Sequence, residues 1–70
     1  MKYAVLYATT PTGYSAHVPD LPGCIAAAVT LDETRELMKE AIEGHLEVMR
    51  EFGYEIPEPT TVAEEVDVAA

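Results

Sequence analysis

The apolar positions at the start of the chain predict two strands joined by a hairpin. Tyr3 to Ala8 is an apolar run of strand formers that ends at a turn cluster, Thr9 to Gly13. In the next segment, Tyr14 to Val18, apolar side chains alternate with Ser15 and His17. Alternation of this kind is typical of a strand with one buried face. The short gap between the two segments suits a hairpin loop.

A tight turn separates the second strand from a third. Pro19 has no amide donor and ends the second strand. Asp20-Leu21-Pro22-Gly23 then supplies a proline that restricts one φ and a glycine that allows a positive one. Cys24 to Val29 follows as an apolar run of strand length. Three successive strands with short connections predict an antiparallel meander.

The longest periodic segment predicts a helix from Leu31 to Phe52. Thr30-Leu31-Asp32-Glu33 matches a capping box at its start, and Gly53 stands where a glycine commonly follows a helix. Gly44 within the helix indicates a close backbone approach or a slight kink. The side chains that recur at helical spacing, and should cover one face of the sheet, are Leu37, Met38, Ala41, Ile42, His45, Leu46, Met49 and Phe52.

The end of the chain predicts a fourth strand. Ile56-Pro57-Glu58-Pro59 indicates an extended connector, and from Val62 to Val68 apolar and acidic residues alternate. We expect this strand at a sheet edge, beside the first strand. The predicted fold class is α+β in the order β-β-β-α-β: an antiparallel meander, one long helix packed on one face and a short fourth strand. This is a partial ribonuclease-H-like arrangement.

Chain length favours one domain, residues 1–70, that associates with itself. The chain has 70 residues, and domains of this size often need a disulfide, a metal or a partner subunit. Cys24 is the only cysteine, so a disulfide within the chain is excluded. One helix covers one sheet face, and the opposite apolar face is typical of a subunit interface. We therefore expect a homodimer or a homotetramer.

The net negative charge is confined to residues 32–70, because Lys2 and Asp20 cancel in the preceding segment. The sequence contains 13 acidic and 4 basic residues, for a net charge of −9, and Asp20 is the only acid before Asp32. So few cations cannot neutralise a run of phosphates, which argues against direct nucleic-acid binding. No apolar run is long enough to span a membrane or to form a signal peptide. A lone thiol also suits a reducing compartment, so we expect a cytoplasmic protein.

Candidate catalytic and metal-binding groups are sparse. Cys24 with His17 or His45 could in principle form a nucleophile and base, but a cysteine that opens an apolar strand is typically a small buried residue. No metal-ligand spacing is present. The first strand carries no acid, so two-metal nuclease chemistry is not expected on this fold. We predict no enzyme activity, no cofactor and no metal.

The acidic residues of the helix follow each other at three- and four-residue steps, away from the apolar stripe. One interpretation is a solvated face that keeps a small oligomer soluble. The other is a docking surface for a basic partner, since such charge accelerates and selects association. The candidate partner-binding residues are Glu36, Glu40, Glu43 and Glu47 on the helix, and Glu64, Glu65 and Asp67 in the fourth strand.

Several segments together resemble the HicB-type antitoxin family. They are Val18-Pro19-Asp20-Leu21-Pro22-Gly23-Cys24 after an aromatic hairpin, Thr30-Leu31-Asp32-Glu33 at the helix start, and Ile56-Pro57-Glu58-Pro59 after Gly53. The resemblance covers nearly the whole chain. Where the family usually has Glu-Ala at the helix start, this chain has Glu33-Thr34.

The resemblance implies a function. HicB-type proteins bind HicA toxins, small basic mRNA-cleaving ribonucleases with a double-stranded-RNA-binding-like fold and a catalytic histidine, and cover their RNA-binding and catalytic surface. Many relatives also carry a C-terminal DNA-binding domain, which we expect this chain to lack because it ends at Ala70. The alternative is a solitary, oligomeric HicB-like module that binds a small ligand or another protein and has no toxin.

Overall fold

The computed structural model describes residues 1–69 and places a three-stranded antiparallel sheet against one long helix. The strands are β1 (Leu6–Thr10), β2 (Gly13–His17) and β3 (Ile25–Ala28), which lie side by side in that order. They are followed by α1 (Leu31–Glu51). The predicted α+β class, with a meander and one long covering helix, is confirmed. No helix within residues 1–69 is both long and apolar enough to cross a membrane.

The hairpin between β1 and β2 is tighter than the sequence pattern predicts. Thr10 lies opposite Gly13 in the ladder, so that the loop between the strands is only Pro11-Thr12. β1 begins at Leu6 rather than at Tyr3. The ladder with β2 ends at the Leu6–His17 pair, two residues before Pro19, which has no amide donor. Before it, the Tyr3 hydroxyl donates a hydrogen bond to the carbonyl of Pro57 in the C-terminal segment.

The connection from β2 to β3 consists of two successive turns that bury Leu21 completely. The amide of Leu21 donates to the carbonyl of Val18 at 3.1 Å, and the amide of Cys24 donates to the carbonyl of Leu21 at 3.0 Å. Pro22 and Gly23, with a φ of 83° at the glycine, occupy the two central positions of the second turn. This is the type II geometry that a Pro-Gly pair favours, as predicted.

The core lies between α1 and the strands β2 and β3, and α1 does not contact β1. The hydroxyl of the buried Thr34 donates to the carbonyl of Thr30 at 2.7 Å, so this polar side chain is satisfied within the helix. Only the first half of α1 is deeply buried, because a helix of 21 residues, about 31 Å long, extends past strands of about 17 Å. The buried hydrophobic side chains are Ala16, Val18, Leu21, Cys24 and Met38.

Both ends of α1 are capped largely as the sequence predicts. The Thr30 hydroxyl accepts from the amide of Glu33 at 3.1 Å and donates to the Glu33 carboxylate, also at 3.1 Å. The carboxylate therefore meets the hydroxyl rather than the Thr30 amide. At the other end, Gly53 has a φ of 72°, and the amide of Tyr54 donates to the carbonyl of Met49 at 2.8 Å. This is a Schellman cap.

The prediction of a fourth strand is wrong for this chain. Residues 54–69 form neither helix nor strand. Residues 63–65 do run beside Val5 to Tyr7, near the outer edge of β1, but no ladder forms there. The alternating valines do not pack against the rest of the chain: Val62, Val66 and Val68 are all at least three-quarters exposed. Alternation without burial does not supply the packing that stabilises a strand.

Asp20 fixes the course of this C-terminal segment. Its carboxylate accepts hydrogen bonds from the backbone amides of Thr60 and Thr61, each at 3.0 Å. It also accepts from both threonine hydroxyls, at 3.1 Å and 2.7 Å respectively. Four donors stabilise the ionised carboxylate, and the bonds from Thr61 contribute most to a pKa below the ordinary value of 3.8. Asp20 therefore attaches the C-terminal segment to the β2–β3 connection, and we call these four hydrogen bonds the Asp20 anchor.

Gly13 is predicted to be important for the stability of the fold. A Cβ at this position would lie 2.2 Å from the carbonyl oxygen of Ala28 and 2.7 Å from the Cα of Val29, which are backbone atoms that cannot move aside cheaply. Gly13→Ala should lower the free energy of unfolding, measured with urea, by about 1–3 kcal/mol. Gly44→Ala is the control, because a Cβ at Gly44 meets nothing within 4 Å. This change should raise the free energy of unfolding by about 0.5–1 kcal/mol. Equal effects would contradict this account.

The Asp20 anchor predicts a pH dependence. Because the folded-state pKa is depressed, the anchor contributes its full stability above the ordinary pKa of 3.8 and loses it as pH falls through the lower folded value. An NMR titration should show the Thr60 and Thr61 amides shifting with a midpoint below 3.8. Asp20→Asn should abolish that step, whereas Glu58→Gln in the same segment should leave it intact. A midpoint at or above 3.8 would show that the anchor does not form.

Candidate partner-binding surface

The four helical candidates lie on the outer side of α1, away from the sheet. Because Thr34 and Met38 are buried against the strands, residues half a turn away face solvent. Glu51 extends this exposed acidic row toward the end of the helix. The row, which we call the acidic face, consists of Glu36, Glu40, Glu43, Glu47 and Glu51, all exposed.

The cations of α1 all lie on one flank of the acidic face. At about 100° per residue, Arg35, Lys39 and Arg50 share the side of the helix next to Ile42 and Leu46. Arg35 forms an ion pair with Asp32 at 2.9 Å, in which both side chains are largely exposed. Such exposed pairs contribute little stability. The acidic face is therefore partly neutralised on this flank only.

The opposite flank of α1 is apolar and carries no cation. It consists of Leu37, Ala41, Gly44 and Val48, of which Leu37 and Val48 are 42% and 50% exposed. The sequence periodicity placed Leu37 and Ala41 in the buried stripe and did not include Val48 in any surface. A helical wheel that separates the two flanks would have shown the asymmetry, because small and apolar residues recur at positions 37, 41, 44 and 48.

Three residues of this flank, Ala41, Gly44 and Val48, form one wall of an open groove of about 580 Å³. The other wall is the turn at residues 22–25, where β3 begins, and Tyr54 lies at the same groove. Glu40 is the one member of the acidic face that lines it. We call this feature the α1–β3 groove. It brings an acidic side chain, apolar side chains and an edge of the sheet together.

The cysteine and histidines do not form a nucleophilic pair. Cys24 and His45 both line the α1–β3 groove, but no hydrogen bond joins them in the described part of the chain. Burial raises the pKa of the Cys24 thiol, which favours the protonated thiol over the nucleophilic thiolate. His17 pairs across the sheet with Ile25, on the face opposite to Cys24. Residues 1–69 also contain no cluster of three or more side chains suited to hold a metal ion.

The candidate acids of the C-terminal segment lie apart from the helical ones. Glu64, Glu65 and Asp67 are exposed, and the first two line a depression beside β1. The α1–β3 groove is at the other edge of the sheet, with β2 between them. The predicted partner-binding residues therefore form two separate acidic surfaces, not one.

The face of the sheet opposite α1 is open and nearly neutral. Residues paired across strands point to the same side, which places Leu6, His17 and Ile25 in one row and Ala8, Ser15 and Ala27 in the next. None of these is a lysine, arginine, aspartate or glutamate. Ile25 is 69% exposed. This face is the one predicted from sequence as a subunit interface.

Comparison with known proteins gives similar chains from a phage and from archaea. An uncharacterized 14.9 kDa protein from the rep–hol intergenic region of Haemophilus phage HP1 is 36% identical over 67 residues. This match covers 96% of the present chain but only 50% of the phage protein, so the chain spans half of that relative. A UPF0150 protein of Thermoplasma acidophilum is 37% identical over the full length of both chains. A UPF0150 protein of Archaeoglobus fulgidus is 47% identical over 71% of the present chain.

The fold also matches a solved structure described as a HicA3 and HicB3 toxin-antitoxin complex. The match has a TM-score of 0.73 and 27% identity, and covers 86% of this chain and 70% of the other. The model of a family described as "HicB_like antitoxin of bacterial toxin-antitoxin system" matches residues 3–69. The sequence resemblance is thereby confirmed over almost the whole chain, and the protein belongs to the HicB-like antitoxin family of bacterial toxin–antitoxin systems.

Proposed function

We propose that this protein binds and neutralises a small, basic, HicA-type mRNA-cleaving toxin by covering its RNA-binding and catalytic surface. The observation that carries the proposal is the acidic face of α1 in a chain of the HicB-like antitoxin family. The structural match to the HicA3 and HicB3 complex supports a toxin partner of the same type.

Electrostatics supply the mechanism. A surface that binds RNA must present lysines and arginines to phosphates. The acidic face offers carboxylates to the same cations, with neighbouring side chains about 5–6 Å apart along the helix. The net charge of −9 accelerates the encounter and selects basic partners. Once bound, the antitoxin occupies the toxin's RNA-binding surface, and inhibition requires no chemical step.

A second part of the proposal is self-association through the open sheet face. Most side chains in the two rows of that face are apolar, the exceptions being Ser15 and His17, and no element covers it within residues 1–69. Two copies can bring these faces together without opposing their acidic helices, which pack on the other side of the sheet. A homodimer, or a homotetramer built from it, would cover the apolar surface that a single helix leaves open.

The direct test of function uses the reading frame beside this gene. A neighbouring small basic protein with a central histidine should arrest growth when expressed alone, and co-expression of the present chain should restore growth. The two purified proteins should also form a complex at low salt. If no basic partner is recovered and growth is not restored, the proposal is wrong.

Charge reversal should separate binding from folding. Replacing Glu40, Glu43 and Glu47 together by lysine should weaken toxin binding at least about a hundredfold, because like-charge contacts cost several kcal/mol and ~1.4 kcal/mol is a factor of ten. Isothermal titration calorimetry gives the affinity. The free energy of unfolding should change by no more than about 1 kcal/mol, as these side chains are exposed.

The matched control is the second acidic surface. Lysine at Glu64, Glu65 and Asp67 changes the net charge by the same amount at the other edge of the sheet. We expect a smaller loss of affinity, through long-range attraction alone. Equal losses in the two triple variants would mean that α1 is not the contact surface.

Self-association has its own test in sedimentation velocity. The wild-type chain should sediment as a dimer or tetramer at micromolar concentration. Ala8→Glu places a charge on the open sheet face and should shift the population toward monomer, whereas Thr9→Glu, on the same strand but the other face, should not. A folded wild-type chain that sediments as a monomer would contradict the proposed interface.

A further inference from the structure

The outer edge of β3 is unprotected. β3 pairs only with β2, so alternate amide and carbonyl groups of Ile25–Ala28 face away from the sheet. Natural edge strands are usually shielded by charged side chains, prolines or a covering element. The Ile25–Ala28 strand has no charged residue and no proline, and Val29 after it is 71% exposed. The opposite edge of the sheet, at β1, lies beside residues 63–65.

The α1–β3 groove begins at the first residue of this edge strand. Ile25 lines the groove together with Ala41, Gly44 and Val48 of the apolar flank, whereas the rest of the Ile25–Ala28 strand does not. An added strand that pairs with β3 and continues past Ile25 toward the turn would therefore enter the groove. Its side chains there would contact Ala41, Gly44 and Val48, of which Gly44 and Val48 are exposed.

Gly44 makes no close packing contact within the described residues. A glycine inside a helix is destabilising relative to alanine. The sequence suggested a close backbone approach or a slight kink at this position, but a Cβ on Gly44 would meet no atom within 4 Å. Gly44 lines the α1–β3 groove, so its backbone is open to close approach by a molecule that occupies the groove.

The charges around the groove select a basic occupant over a second copy of this chain. Glu40 lines the groove, and Glu33 and Glu51 lie on the same side of α1 by helical position, whereas the cations of the helix lie on the far flank. A second copy seated here would bring its own acidic helix against this one. Like charges in contact oppose such a pairing. The nearly neutral open sheet face has no such penalty.

We propose that the free edge of β3 and the α1–β3 groove together bind an edge strand of the basic partner. The added strand continues the sheet beside β3, so that backbone hydrogen bonds supply affinity. Alternate apolar side chains enter the groove against Gly44 and Val48, and lysines or arginines between or beside them pair with Glu40. This inference rests on the proposed function, and it assigns the toxin and the second copy to different surfaces.

Amide hydrogen exchange tests the added strand directly. The probe is the HicA-type protein encoded beside this gene, with its catalytic histidine replaced by alanine. In the complex, those amides of Ile25–Ala28 that do not bond to β2 should exchange at least about tenfold more slowly than in the free chain. The Thr9 and Thr10 amides of β1 serve as an internal reference and should change little.

A substitution supplies the second readout. Gly44→Leu fills the groove with a better helix former, so the chain should be at least as stable as wild type but bind the probe at least about tenfold more weakly. Lys39→Leu, on the far flank of α1, is the matched control and should not weaken binding.

The outcomes separate the two proposals. If wild type does not bind the probe at all, both the proposed function and this surface are wrong. If wild type binds, but the β3 amides exchange as before and Gly44→Leu binds normally, only the docking surface is overturned. If Gly44→Leu instead abolishes self-association in sedimentation and leaves probe binding intact, the groove is an interface between copies, and the assignment is likewise wrong.

Discussion

The packing of one helix across two of three strands determines the rest of this structure. α1 buries Met38 and Thr34 against β2, β3 and the turn around Leu21, and it does not contact β1. A domain of 70 residues buries a limited share of its surface. Within residues 1–69, three surfaces are left without a covering element: the open sheet face, the free edge of β3 and the apolar flank of α1.

Charge distinguishes these patches from one another. The open sheet face comes from the neutral first half of the chain, where Asp20 is used internally to anchor Thr60 and Thr61. The α1–β3 groove is bordered by Glu40, and the cations of the helix are on the other flank. The proposed self-association and the proposed binding of a basic partner therefore use different faces. These two surfaces differ in charge because the cations of α1 all lie on the flank away from the groove.

Sequence reasoning succeeded where the signal is local. The Pro22-Gly23 turn, the Thr30 cap and the Gly53 end of the helix each depend on a few neighbouring residues, and all three form as predicted. Sequence reasoning failed where contacts between residues far apart in the sequence determine the conformation. Alternation predicted a strand after Val62, but hydrogen bonds to Asp20 set the course of that segment and its valines bury nothing. The groove was missed because periodicity alone does not show where a helix extends beyond its sheet.

In the proposed function, an acidic surface on α1 competes with RNA for the cations of a basic toxin. The most direct measurement is the dissociation constant of the complex with a catalytically inactive HicA-type protein as a function of salt. Since screening shortens the range of electrostatic attraction from about 10 Å at 0.1 M to about 3 Å at 1 M, we predict that affinity falls at least about tenfold across that range. Tight binding that does not depend on salt, or no binding at low salt, would contradict the account.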